Sequence, residues 1–219
     1  MSKRYDVLCI GFLSSILFGS VGAIADDTKV NWEGFYAGGY YADSKVDAKR
    51  TLLPQVGVGP AQVIDANSED DIAKNLGFFV GYNKMIGKSL IGIEVSTQND
   101  VASVAANTVV ASATGNVRLY RLQEYKVRLG LPRGKLMPYL SLGRGEMQQD
   151  FTCCAGSTSF TSTYKSIGIG MEYALGKNAF AGAEYTKADW HYRNTSSTAM
   201  RQTNGDVEAF RLRLGYRFN

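Results

Sequence analysis

Side chains able to do chemistry are few and poorly spaced for catalysis. His191 is the only histidine in 219 residues, with Asp189 two positions before it and Ser196 and Ser197 behind it. Hydrolysis needs a nucleophile within reach of a base that a third group orients. Position 193, where a His-x-Ser arrangement would put its serine, is Arg193, and no paired Asp-Asp and Asp-His spacing accompanies it. The residues therefore predict no enzyme and no catalytic site. His191 reads instead as a rim residue between Trp190 and Tyr192, in an interfacial aromatic belt.

Cys153 and Cys154 are adjacent. A vicinal disulfide is the functional reading and a stiffened loop tip the structural one; an oxidising compartment permits the bond. Two neighbouring cysteines and a distant histidine do not reach a metal's ligand count. The acidic stretch "DANSEDDIAK", residues 65–74, lacks EF-hand spacing and reads as a solvated loop. No metal and no cofactor are expected.

The remaining charges form a pattern. In "FRLRLGYRF", residues 210–218, Phe210, Leu212, Leu214, Tyr216 and Phe218 alternate with Arg211, Arg213 and Arg217. Period-two alternation is the signature of a strand with two unlike faces. The same alternation recurs in eight stretches: 34–44, 74–84, 89–98, 119–131, 136–151, 162–175, 179–192 and 206–218. One face carries residues such as Ile91, Ile93 and Val95, or Tyr125, Val127 and Leu129. The opposite face carries Glu94, Glu124, Lys126, Arg128, Glu172, Glu184 and many glycines.

The connections are unequal in a regular way. "MIGKS", "PRGK" and "LGKN" are tight turns. The others, 45–73, 99–118, 152–161 and 193–205, are long. Strict alternation of short and long connections puts all turns at one end of an up-and-down barrel and all loops at the other, as in bacterial outer-membrane barrels. A soluble lipocalin-like barrel would reverse the faces and clothe its exterior with glycines. In lipid the apolar face points outward, and an arginine turned to mid-membrane costs about 2–4 kcal/mol. A one-residue slip of the last strand would expose three.

The start of the chain fits that compartment. Lys3 and Arg4 precede an apolar run, residues 7–22, and "AIA", residues 23–25. This predicts a signal peptide, 1–25, ahead of a barrel domain, 26–219. Losing Lys3, Arg4 and Asp6 takes the formal charge from +4 to +3, too weak a bias to indicate nucleic acid. Twenty-four glycines, 13 tyrosines and only 4 prolines suit an all-β chain.

Four segments carry a family resemblance: "NWEGFYAGGYYAD" (31–43), "MPYLSLGRGEM" (137–147), "NAFAGAEYTKADW" (178–190) and the terminal "RLRLGYRFN". They resemble the small porin-like, Opa/OmpA-type eight-stranded outer-membrane barrels of Gram-negative bacteria. The resemblance implies an all-β, eight-stranded antiparallel transmembrane barrel in the outer membrane. It also implies that Tyr216 and Phe218 form a C-terminal signal for the barrel-assembly machinery, although Asn219 follows.

The expected function is a non-enzymatic, monomeric surface barrel, structural or adhesive. It would be embedded in outer-membrane lipid and meet host or surface ligands through loops 45–73, 99–118, 152–161 and 193–205. The alternative is a narrow porin-like conduit for ions or small solutes. Alternation places Glu94, Glu124, Glu172 and Glu184 in the lumen with Lys126, Arg128, Arg211, Arg213 and Arg217, where confined charges must pair. Glu184 and Arg211 are the first expected pair, and the glycines are expected to make room for the long side chains. Tyr36, Tyr82, Tyr125, Tyr173, Tyr185, Trp190, Tyr216 and Phe218 are expected in two aromatic girdles, although alternation from Phe35 turns Tyr36 inward.

Overall fold

The computed structural model describes residues 30–54, 62–67, 73–108, 114–153, 156–195 and 199–218. The expected signal peptide, Cys154, Ser196 and Ser197 lie outside the described residues, as do the side chains of Cys153 and His191. Among the described residues nine strands form: β1 (Gly34–Pro54), β2 (Gln62–Asn67), β3 (Ala73–Ile86), β4 (Ser89–Thr108), β5 (Thr114–Gly130), β6 (Leu136–Cys153), β7 (Gly156–Ala174), β8 (Ala179–Thr195) and β9 (Ala199–Phe218). They pair antiparallel in the order β2-β1-β3-β4-β5-β6-β7-β8-β9, and β1 also pairs with β9, which closes the sheet. Closure leaves no open edge, as lipid requires.

Nine strands make an eight-stranded wall because β2 and β3 are two halves of one. Both run antiparallel to β1 on the same side of it, β3 from Gly34↔Asn83 to Ser44↔Ala73 and β2 from Asp47↔Asn67 to Leu52↔Gln62. Above the end of β3, β2 takes its place between β1 and β4, meeting β4 at Ile64↔Thr108. Alternation missed β2, which falls in the segment expected as the first long loop.

The other expected loops are also largely wall. β1 and β9 stay paired to Pro54↔Ala199, β4 and β5 to Asn107↔Thr114, and β6 and β7 to Cys153↔Gly156. These segments are rich in Thr, Ser, Val and Ala, and each further rung satisfies backbone donors and acceptors that a free loop would leave to water.

The pairing fixes the geometry of the barrel. Stepping sideways from Ala179 on β8, the register partners are Tyr216, Ala37, Val80, Val95, Tyr125, Arg144 and Lys165, and the path returns to β8 at Asp189. Asp189 lies ten residues beyond Ala179, so the shear is ten. Strands are correspondingly tilted, and the outward face climbs the barrel from row to row.

Burial assigns the faces. Outward stand Phe78, Val80, Ile93, Tyr125, Val127, Leu140, Leu142 and Ile167; on β9 Phe210, Leu212, Leu214, Tyr216 and Phe218 are 48–62% exposed while Arg211, Arg213 and Arg217 are at most 5% exposed. The apolar run of β9, residues 210–218, covers about 30 Å along the strand at ~3.3 Å per residue, or about 20–25 Å along the axis at a ~40° tilt. Above it the exterior turns charged, with Lys187 3.2 Å from Glu208. At the turn end Phe35 packs edge-on against Tyr82 at 4.8 Å, and Tyr216 against Phe218 at 5.3 Å. Two residues expected in the girdles are instead inside: Tyr36 is 1% and Trp190 4% exposed. Both share the inward parity of their strands, with Tyr40 on β1 and Glu184 on β8.

Inside, glycines make room for the long charged chains as expected at Gly143, beside Glu124 and Lys126, and at Gly182, beside Glu172, and elsewhere for rings. A Cβ on Gly81 would overlap the Tyr36 ring, one on Gly77 the Tyr40 ring, one on Gly170 the Tyr139 ring and one on Gly145 the Tyr164 ring. Each ring lies flat across the neighbouring strand's backbone and braces that pair of strands. Gly170→Val should therefore destabilise the barrel by about 1–3 kcal/mol through overpacking, read as a lower urea midpoint in detergent. Gly176→Ala, with open space around it, should leave the midpoint unchanged.

Candidate functional site

The lumen is filled in three layers. At the turn end sit Trp32, Leu90, Met137 and Phe180. Trp32 precedes β1, and its indole Nε1 donates to the Gly134 carbonyl at 3.1 Å. Trp32 thus ties the residues just ahead of β1 to the turn between β5 and β6 at this mouth. At the hairpin end the inward residues include Val101, Leu119, Leu122, Met147, Trp190 and Val207 together with the polar Ser44, Gln98, Gln149 and Ser162. Leu119 and Leu122 both point in because the ladder slips between Tyr120 and Gln123, where Arg121 takes a positive φ of 50°. This bulge reverses the parity that holds from Leu122 to Gly130.

Between these layers lie four acids and four bases, none more than 5% exposed: Glu94, Glu124, Glu172, Glu184, Lys126, Arg128, Arg211 and Arg213. Glu94 on β4 is the centre. Arg213 of β9 grips it with both terminal nitrogens, Nη1 at 3.0 Å from Oε1 and Nη2 in short contact with Oε2. Arg128 reaches it at 3.3 Å and Lys126 at 3.4 Å. The Tyr36 hydroxyl donates to Glu94 at 3.0 Å and accepts from Arg128 at 2.8 Å.

The network continues through the remaining acids. Glu184 lies 2.9 Å from Lys126 and 3.0 Å from Arg213, and accepts from the Ser141 hydroxyl at 2.9 Å. Glu172 lies 2.6 Å from Arg128. Glu124 lies 3.0 Å from Arg211 and accepts from Ser166 and Ser96. Rings cover the guanidinium faces: Arg128 lies 3.9 Å from the Tyr139 centroid and Arg213 4.1 Å from that of Phe79.

Two expectations differ in detail. Glu184 and Arg211 do stand opposite in register and 3.6 Å apart, but each makes its closest bridge elsewhere. Arg217 is buried yet outside the network. Two strand steps below Arg213, it serves the turn, donating to the Lys177 and Asn178 carbonyls at 3.0 and 3.4 Å, and its guanidinium stacks over Trp32 at 4.4 Å. With Arg217 removed the network is formally neutral. The Tyr36 hydroxyl, the two serines near Glu124 and the ring covers were missed by sequence reasoning. Inward parity was the available signal for each.

The arrangement holds its charges in buried ion pairs. Among the described residues no group of three His, Cys, Asp or Glu could hold a metal ion. Asp189 faces outward, opposite Lys165. Tyr216 and Phe218 are exposed on the exterior, 51% and 60%.

A family model described as an outer membrane protein beta-barrel domain matches residues 12–218. Among solved structures, the chain is similar to Ail, the attachment invasion locus protein of Yersinia pestis, at 15% identity and a TM-score of 0.45, covering 85% of this chain and 99% of that one. It is similar to Neisserial surface protein A at 12% identity and a TM-score of 0.42, covering 84% and 97%. It is similar to the outer membrane protease OmpT from Escherichia coli at 9% identity and a TM-score of 0.45, covering 84% and 97%. No curated protein matches the sequence significantly.

Removing one member of the network strands its partners. Glu94→Leu should cost about 3–5 kcal/mol, because it leaves Arg213 and Arg128 buried without their shared acceptor. Glu94→Leu combined with Arg213→Leu should cost less than the two single changes added together. Urea unfolding of all three variants in one detergent measures both.

Proposed function

Because the chain belongs to the outer membrane protein β-barrel domain family, and so resides in the bacterial outer membrane, we propose that it is a closed, non-catalytic surface barrel. Its lumen is plugged by the charge network, and its work is done by the paired hairpins that rise above the membrane on the cell's exterior. The observation that carries this reading is the completeness of the pairing. Every carboxylate in the central layer faces at least one cation within 3.0 Å. A continuous aqueous path has no room, because an eight-stranded barrel is only just wide enough for its own side chains and Trp32, Leu90, Met137 and Phe180 fill the turn end. The exterior hairpins then offer the free surface on which structural or adhesive contacts with a host or other partner are made. Tyr216 and Phe218, outward at the turn end, serve as the recognition signal for the assembly machinery, and the closed ladder suits a monomer.

Planar-bilayer recording tests the plug. The wild type should be nearly silent, and Arg211→Ala with Arg213→Ala should raise conductance severalfold. Large, steady wild-type conductance that is unaltered in the double variant would replace this reading with the narrow conduit. Cells carrying barrels trimmed at all four hairpins tests the display role separately. Trimmed barrels should still insert but lose surface binding; unchanged binding would remove the adhesive role.

A further inference from the structure

The short turns share a pattern that neither the plug nor the hairpins explain. Each ends its lipid-facing run on an exposed apolar residue and shows an exposed cation two positions later: Ile86 and Lys88, Leu131 and Arg133, Leu175 and Lys177. Across the described turn end, residues 30–37, 82–93, 129–139, 173–183 and 214–218, six cations meet a single acid, Glu33. The whole chain is only +4, so its positive charge is concentrated here. Glu33 is bridged to Lys84 at 2.7 Å. Lys88, Arg133 and Lys177 bridge to no acid among the described residues.

The mouth holds the turns in place. Trp32 donates to the Gly134 carbonyl at 3.1 Å and Arg217 to the Lys177 carbonyl at 3.0 Å, while Glu33 accepts from the Met85 backbone amide at 3.1 Å. Gly87 and Gly134 take positive φ of 63° and 56°, a conformation glycine adopts without strain. The turn backbones are thus pinned from inside, and the three cations are left to solvent. Successive short turns lie two strands apart, roughly 10 Å along the rim at ~4.8 Å per strand. One small anion cannot span that distance. A partner with anions fixed at intervals can, and contacts that are weak singly at an exposed surface then act together.

We propose that the turn end docks on the peptidoglycan layer, its three cations meeting carboxylates of the stem peptides. A covalent network fixes its anions as the mouth fixes its cations, which the laterally mobile headgroups of an anionic lipid do not. The docking is independent of the plug. It rests on the proposed orientation, with the hairpins outside and the turns toward the periplasm.

The test is co-sedimentation of the full barrel, in phosphatidylcholine nanodiscs, with purified peptidoglycan sacculi. The wild type should pellet with them at low salt and be released at ~1 M salt, where the screening length is about 3 Å. Lys88→Gln, Arg133→Gln and Lys177→Gln together should lower retention at least tenfold while the folded band persists on unheated gels. Arg144→Gln, Lys165→Gln and Lys187→Gln together remove the same charge from the hairpin side and should pellet as the wild type does. Sacculi whose carboxylates have been amidated should hold the wild type at least tenfold more weakly. Equal retention of the turn variant, equal retention on amidated sacculi, or an equal loss in the hairpin-side variant would overturn the proposal. Adding phosphatidylglycerol to the nanodiscs should leave retention unchanged; its loss would assign the cations to the lipid instead. On intact cells, Lys177→Cys should add no label from a membrane-impermeant maleimide over the parent chain. Added label would overturn the orientation, whatever the sacculi retain.

Discussion

Hydrocarbon offers a peptide group no hydrogen bond, and everything else in this barrel follows from that. Each strand must pair on both sides, so the first and last strands must meet, and the β1–β9 ladder is the longest in the molecule, from Phe35↔Phe218 to Pro54↔Ala199. Once the sheet is closed, alternate residues have only two destinations, and lipid refuses charge. The interior of a narrow barrel is then the one place within the membrane for arginine, lysine and glutamate. They enter because lipid excludes them, and they pair because the lumen is too narrow to hydrate them.

How they pair is a question of geometry more than of local sequence. The inward arginines of β9 were legible, because three of them alternate with five apolar residues. Their partners were not. Arg213 meets Glu94 from 119 positions away, and the match depends on a shear of ten that no local pattern encodes. Arg217 follows the same parity but sits at the level of the turns, where carbonyls replace carboxylates. Trp190 was misjudged for a simpler reason: its aromatic character was weighed above its parity with Glu184. β2 was missed because it falls in the segment 45–73, which was expected as the first long loop. Leu119 escaped because a bulge at Arg121 flips the face. Alternation reads faces well and reads height, register and interruptions poorly.

The network is better understood as a device of specificity than of strength. Desolvating eight charges is costly, and their mutual attraction roughly offsets that cost only when geometry is good. What it supplies is intolerance of error. A wrong register would leave a buried cation alone or turn one to lipid, so the neutral set of four acids and four bases admits one arrangement of the wall. The tyrosines that lie across glycines act alike, since each ring fits only one neighbouring gap.

The seam between β1 and β9 also governs timing. Phe35 and Phe218 stand at opposite ends of the barrel's sequence, so the ribosome must finish before the sheet can become a cylinder. Until then two ladders of bare amides and carbonyls face outward, and pairing with another molecule would satisfy them equally well. The moment of closure, when Trp32 comes to rest beneath the wall and Arg217 covers its ring, is also the moment at which those edges cease to be open to other chains.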